Sequence, residues 1–253
     1  MDYKTLAKEA RIAVLGMVHK AQLSHIASNF SVIDIATVLY ENVNLAKDRV
    51  VWSAGWKAAT VYYFLNKKSI LSDEQLAQFP NAPFYGLAET EVPGVEVNGG
   101  SMGHGLSVSV GMALAKKRSK EEGIVYCILS EGEQNEGSVW EAVMMAYHHT
   151  LDNLVAIIDV NKIQATGFTK DILNLEPLED RWRGFGWDVV RIDGHSYVEI
   201  ESSLKKSSGK PKVIIADTIK GKGVSFMEGL LLYHYKSLDN ETYNKALSEL
   251  QND

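Results

Sequence analysis

The chain is short of the features that mark extracellular, membrane-bound or nucleic-acid-binding proteins. One cysteine occurs in 253 residues, so no intrachain disulfide can form. That residue, Cys127, lies inside an apolar run, where a packed thiol is expected rather than a nucleophile. No apolar run approaches the roughly 20 residues of a membrane-spanning helix. The opening Met1-Asp2-Tyr3-Lys4 is polar, so neither signal peptide nor anchor is expected, and the cytoplasm is the default compartment. Basic clusters are short, reaching only Lys116-Lys117-Arg118 and Lys205-Lys206, and the net charge of -6 argues against a nucleic-acid partner. Linkers, internal repeats and low-complexity segments are also missing, and no Gly-x-Gly-x-x-Gly joins a strand to a helix as a dinucleotide fold would require.

What remains is an ordinary globular composition, 45% apolar, long enough for a single large α/β domain over residues 1–253. The most informative stretch is 124–163. The β-branched run Ile124–Leu129 reads as a buried strand, the apolar spacing of Val139, Val143, Ala146 and Tyr147 as a helix, and Leu154–Ile158 as a second buried strand. Strand, helix, strand at this spacing is a βαβ unit, which brings Glu131 and Asn161 to the carboxyl ends of neighbouring parallel strands, the edge where open α/β sheets bind ligands. A carboxylate and an amide there offer hard oxygens suited to magnesium or calcium. On periodicity alone the acids serve equally as solvated turn residues or helix caps.

Elsewhere, helices are expected over 3–22, from a cap at Ser31, over Trp56–Leu65, after a capping box at Ser72-Asp73-Glu74-Gln75, from the Gly-rich turn 98–105 to about Lys117, over 196–206 and at the surface over 239–250. Strands are expected over Val50–Ser53, Asp188–Ile192 and Lys212–Asp217. Alternating elements imply a parallel sheet covered by helices on both faces. His195, in an Asp-Gly-His turn, reads as a capping or packing residue.

Five segments, in order, resemble the transketolase family. Glu131-Gly132-Glu133-Gln134-Asn135-Glu136-Gly137 with Asn161-Lys162-Ile163 is similar to its thiamine-diphosphate motif, although Ser130-Glu131 replaces the family's Gly-Asp. Ser24-His25-Ile26 resembles its Gly-His-Ile segment, Val50–Gly55 its strand and following turn, Gly100-Ser101-Met102-Gly103-His104-Gly105 its Gly-rich turn, and Thr218–Glu228 its last motif.

The resemblance implies the thiamine-diphosphate-binding fold, with a Mg2+ or Ca2+ ion held by Glu131, Asn161 and the Ile163 carbonyl. It implies cofactor contacts from Ser101, Met102, Gly103, Gly132, Glu133, Asn161, Lys222 and the positions of Trp56 and Tyr235, and substrate contact from a catalytic His25. Trp56, Gly86 and Tyr235 stand where the family carries imidazoles. An undivided transketolase continues into a pyrimidine-binding domain, so the resemblance further implies a separate pyrimidine-binding subunit in an α2β2 assembly. The expected activity is transfer of a two-carbon ketol or acyl unit from a non-standard ketone donor, a ketose or keto acid, to an aldehyde. Two alternatives remain, one half of an α-keto acid decarboxylase or acyltransferase, and a non-catalytic scaffold.

Overall fold

A computed structural model of the chain describes residues 2–205 and 209–252. Five strands form one parallel sheet: β1 (Arg49–Trp52), β2 (Val125–Ser130), β3 (Leu154–Val160), β4 (Asp188–Asp193) and β5 (Lys212–Asp217), in the order β1-β2-β3-β5-β4. The strands are apolar almost throughout because both faces are covered. In β2, Tyr126 and Ile128 join one buried cluster and Val125, Cys127 and Leu129 the other, the period-two alternation of a strand between two cores.

The first core lies under α1 (Tyr3–Ala21), α2 (Ile26–Asn42) and α3 (Ala58–Lys67). The short α4 (Asp73–Leu76) follows α3 and opens with the expected Ser72 capping box. The second core lies under α5 (His104–Ser119) and α6 (Gly137–His148). The one-turn α7 (Thr169–Ile172) precedes α8 (Leu178–Gly184), whose Trp182 is buried in that second core. On the first face, α9 (Tyr197–Ser203) contributes Ile200, and α10 (Asn240–Asn252) contributes Ala246 and Leu250. The helix expected over 196–206 is described as far as Ser203, and Lys206 lies outside the described residues.

Two helix starts differ from the sequence expectation. Ser31 does not cap α2. That helix begins at Ile26, and Ser31 is buried within it, its Oγ donating to Asp159 Oδ2 at 2.7 Å. Nearly every residue of α2 is buried, so it lacks the amphipathic stripe that would mark where it begins. Likewise, Gly55–Lys57 forms a 3-10 turn ahead of α3.

The parallel register aligns the strand ends. Ser130 pairs with Asp159, and Glu131 N donates to Asp159 O at 3.1 Å while Thr218 N donates to Val160 O at 3.0 Å. Segments leaving β1, β2, β3 and β5 therefore converge on one edge. Cys127 is fully buried, and burial pushes its thiol well above the ordinary range, in keeping with a packing role.

Candidate functional site

At that edge lies a cavity of about 340 Å3. Its lining includes Glu131 and Gly132 after β2, Asn161, Ile163 and Gln164 after β3, Trp56 and Lys57 after β1, and Lys220 after β5, joined by His25 at the start of α2 and by His234.

Backbone conformation at two residues shapes it. Lys162 adopts a left-handed φ of 68°, which folds the loop back so that Asn161 Oδ1 accepts from Ile163 N at 3.3 Å. The Lys162 amide points to the neighbouring strand end and donates to Glu131 Oε2 at 2.6 Å. Asn161 directs its NH2 downward, donating to Asp159 Oδ2 at 3.1 Å, which leaves Oδ1 on the loop side. Burial pushes the Glu131 carboxyl up to about 6, against the opposing hydrogen bond from Lys162.

His25, the N-cap of α2, also has a left-handed φ, 69°. Its backbone N donates to His234 O at 3.1 Å, so the two rings come together with centroids 4.9 Å apart. Lys220, 2% exposed, places Nζ 2.9 Å from His234 Nδ1 and 3.2 Å from Ile163 O. Burial, then the Lys220 charge, depresses His25 to about 4 and His234 to about 3, and burial lowers Lys220 to about 8. Both imidazoles are thus neutral at neutral pH. An ammonium has no lone pair, so Lys220 is the donor to His234 Nδ1 and the ring proton sits on Nε2.

The residues expected from sequence divide. Glu131, Gly132, Asn161, Ile163, His25, Trp56 and Met102 all line the cavity. Glu133 does not: it is fully buried, its Oε1 accepting from Ser53 Oγ and from Gly103 N at 2.9 Å, and its Oε2 from Ser130 N at 2.8 Å. It ties β1, β2 and the Gly-rich turn together. Gly103, with φ 81°, is a packing point between that turn and α6, where an added Cβ would lie 2.5 Å from Ser138 Oγ. Ser101 faces a separate cleft, and Lys222 opens onto another, 3.7 Å from Glu228.

Tyr235 is 58% exposed and lies off the cavity, while its neighbour His234 is the residue that lines it. The imidazole expected to be missing at Tyr235 is therefore supplied one residue earlier. Gly86 packs against Leu23 instead of lining the cavity. Sequence reasoning missed Lys57, Asp159, Gln164, Lys220 and His234. For Lys220 and His234 a signal existed in the flanking motif, but the choice between neighbouring residues went the wrong way.

A divalent ion and an anionic cofactor fit this lining. Among the described residues no group of three or more His, Cys, Asp or Glu could hold a metal. The donors that do converge are one carboxylate, one amide oxygen and one carbonyl, the hard-oxygen set that magnesium completes with water and phosphate. Gln164 Nε2 lines the same space and is buried without a hydrogen-bond partner among the described residues, as expected of a donor awaiting an anionic oxygen.

Residues 3–251 match the family model described as transketolase, thiamine diphosphate binding domain. The chain belongs to the transketolase family. One of the two named chains of the apulose-4-phosphate transketolase of Phocaeicola vulgatus is 38% identical over 268 residues, covering 99% of this chain and 95% of that relative. The 6-deoxy-6-sulfo-D-fructose transketolase subunit SqwG of Clostridium sp. is 36% identical over 267 residues, covering 99% and 97%. The crystal structure of transketolase from Campylobacter jejuni superposes with a TM-score of 0.92 at 32% identity, covering 99% of this chain and 43% of that one. This transketolase chain thus carries the thiamine-diphosphate-binding fold and matches over nearly their full length relatives named as separate subunits. Among the described residues no helix is long and apolar enough to cross a membrane.

Proposed function

We propose that this chain is the diphosphate-binding half of a two-subunit transketolase that uses a divalent metal, Mg2+ or Ca2+, and acts on a ketose outside the common pentose and hexose phosphates. The observation that carries the reading is the meeting, in one cavity, of the oxygen donors Glu131, Asn161 and Ile163 with the neutral imidazole pair His25 and His234. Both relatives named for their substrates act on ketoses bearing an anionic group, a phosphate or a sulfonate. A second, pyrimidine-binding chain completes the site, in an α2β2 assembly.

When bound, thiamine diphosphate supplies the carbanion-stabilising chemistry that lets a two-carbon ketol unit leave one sugar and join an aldehyde. Glu131, Asn161 and the Ile163 carbonyl hold the metal, and Gln164 Nε2 donates to a diphosphate oxygen. Ile163 O accepts from Lys220 with one lone pair and keeps the other for the ion. His234 offers its Nε2–H to a sugar oxygen, held in that tautomer by Lys220. His25, neutral and beside it, accepts or returns a proton at the adjoining hydroxyl. Trp56, Leu87 and Met102 exclude water from one wall of the cavity, and Trp56 narrows it.

The test is reconstitution with the pyrimidine-binding subunit, followed by thiamine diphosphate titration and donor screening. Ketol transfer from an anionic ketose, with xylulose 5-phosphate a poor donor, is expected. Turnover of xylulose 5-phosphate at ordinary transketolase rates would refute the donor assignment, and carbon dioxide release from pyruvate without ketol transfer would refute the reaction class.

A further inference from the structure

Under the Asn161 amide lies a buried ion pair. Lys57 is 1% exposed and Asp159 0%, and Lys57 Nζ donates to Asp159 Oδ2. A buried ammonium needs a partner of opposite charge, and the local fold leaves Lys57 no route to water. β1 exits into a turn where Gly55 and Gly99 touch so closely that a Cβ on Gly55 would sit 2.2 Å from Gly99 Cα. Gly55 O also accepts from Ala88 N at 2.9 Å. Clamped from outside in this way, the Gly55–Lys57 turn directs Lys57 inward to the cavity floor.

Asp159 gathers donors from four segments. Its Oδ2 accepts from Lys57 Nζ, from Ser31 Oγ at 2.7 Å and from Asn161 Nδ2 at 3.1 Å, and its Oδ1 accepts from Thr218 Oγ1. Of these only Lys57 brings a charge, so it is the strongest constraint on how the carboxylate sits. The carboxylate in turn decides which end of the Asn161 amide faces down.

We propose that Lys57 is a positioning residue for the metal site: by fixing the Asp159 carboxylate it holds the Asn161 NH2 downward and keeps Asn161 Oδ1 on the loop beside Glu131 and Ile163. The assignment rests on the metal reading of that loop and adds to it a residue outside the loop. Without Lys57, the carboxylate turns toward Ser31 and Thr218, and the amide loses its preferred orientation.

The test uses Mn2+ as the probe, with free ion read by electron paramagnetic resonance, in the chain purified with its pyrimidine-binding partner and thiamine diphosphate. Lys57→Met is expected to weaken Mn2+ binding roughly tenfold or more, the effect typical of losing a group that orients a metal ligand. The double variant Lys57→Met/Asp159→Asn, which has no buried charge but keeps an oxygen for Asn161, is expected to recover most of the affinity. Unchanged binding in Lys57→Met, or no recovery in the double variant, overturns the assignment. If Lys57→Met does not fold, the double variant is compared with Lys57→Met/Asp159→Ala, which lacks the acceptor, and equal affinities then overturn it. Wild-type protein that binds no Mn2+ refutes the metal reading and this inference with it, whereas wild-type binding with an unaffected variant refutes the role of Lys57 alone.

Discussion

Two glycines of the same region test whether the Gly-rich turn is built for packing, and they should respond in opposite directions. Gly103 caps α5 with φ 81°, and an added Cβ would lie 2.5 Å from Ser138 Oγ and 2.9 Å from Glu136 Cβ. Gly103→Ala incurs about 1.5 kcal/mol for a left-handed non-glycine residue and about 2 kcal/mol for overpacking against the start of α6. A less flexible unfolded chain offsets about 0.7 kcal/mol of this, leaving a net loss of about 3 kcal/mol. Gly111, inside α5, has nothing within 4 Å of an added Cβ, so Gly111→Ala should stabilise by about 0.5–1 kcal/mol. With an unfolding entropy of about 2.1 cal/mol/K per residue over 253 residues, these become a fall in Tm of about 6 °C and a rise of about 1–2 °C. Differential scanning calorimetry of the cofactor-free chain at fixed concentration reads both. A Gly103→Ala variant as stable as wild type, or two shifts of the same sign, would refute the packing argument.

Further outcomes follow from the same geometry. Burial would raise the Asp34 pKa, but the hydrogen bond from His195 and the Arg11 guanidinium outweigh it and hold the carboxyl at about 2. Its contribution, about 2.5 kcal/mol at 1.36 kcal/mol per unit, is present above the unfolded value near 3.8 and is lost as pH falls toward 2. Urea unfolding from pH 5 to pH 2 should therefore show a steep loss of stability, flattened in Asp34→Asn, and an unchanged slope in that variant would count against the assignment. His234→Ala should lower ketol transfer by about 10²–10⁴-fold, whereas Tyr235→Phe should leave it near wild type; steady-state rates in the reconstituted enzyme decide, and the reverse ranking would restore Tyr235 to the site. Glu131→Ala, or removal of divalent metal with a chelator, should abolish saturable thiamine diphosphate binding in a calorimetric titration, and undiminished binding would remove Glu131 from the donor set.

Much of the fold was legible because parallel strands buried on both faces are continuous apolar runs, and β2, β3 and β5 read that way without their neighbours. The βαβ spacing brought Glu131 and Asn161 to one edge for the same reason, and both line the cavity. The start of α2 was not legible, because a helix buried on nearly all sides shows no stripe and Ser31 imitates a cap. Glu133 sits beside Glu131 in the motif, yet the 3-10 turn at Gly132–Asn135 turns it inward to Ser53 and Gly103.

The sequence by itself determined the alternation of strands and helices, the strand-end placement of the acid and amide, and the family, since these depend on local apolar patterning and on segments with a fixed order. Tertiary structure alone decided which of two nearby residues enters the cavity. Lys220 and Lys222 flank Gly221, whose left-handed φ of 82° sends the first to His234 and the second to Glu228. His234 and Tyr235 leave one short turn on opposite sides, and Lys57 meets Asp159 only because the contact between Gly55 and Gly99 clamps the turn that carries it. Side-chain direction at a turn depends on dihedral angles set by distant packing, and neighbouring letters of the chain carry no trace of it.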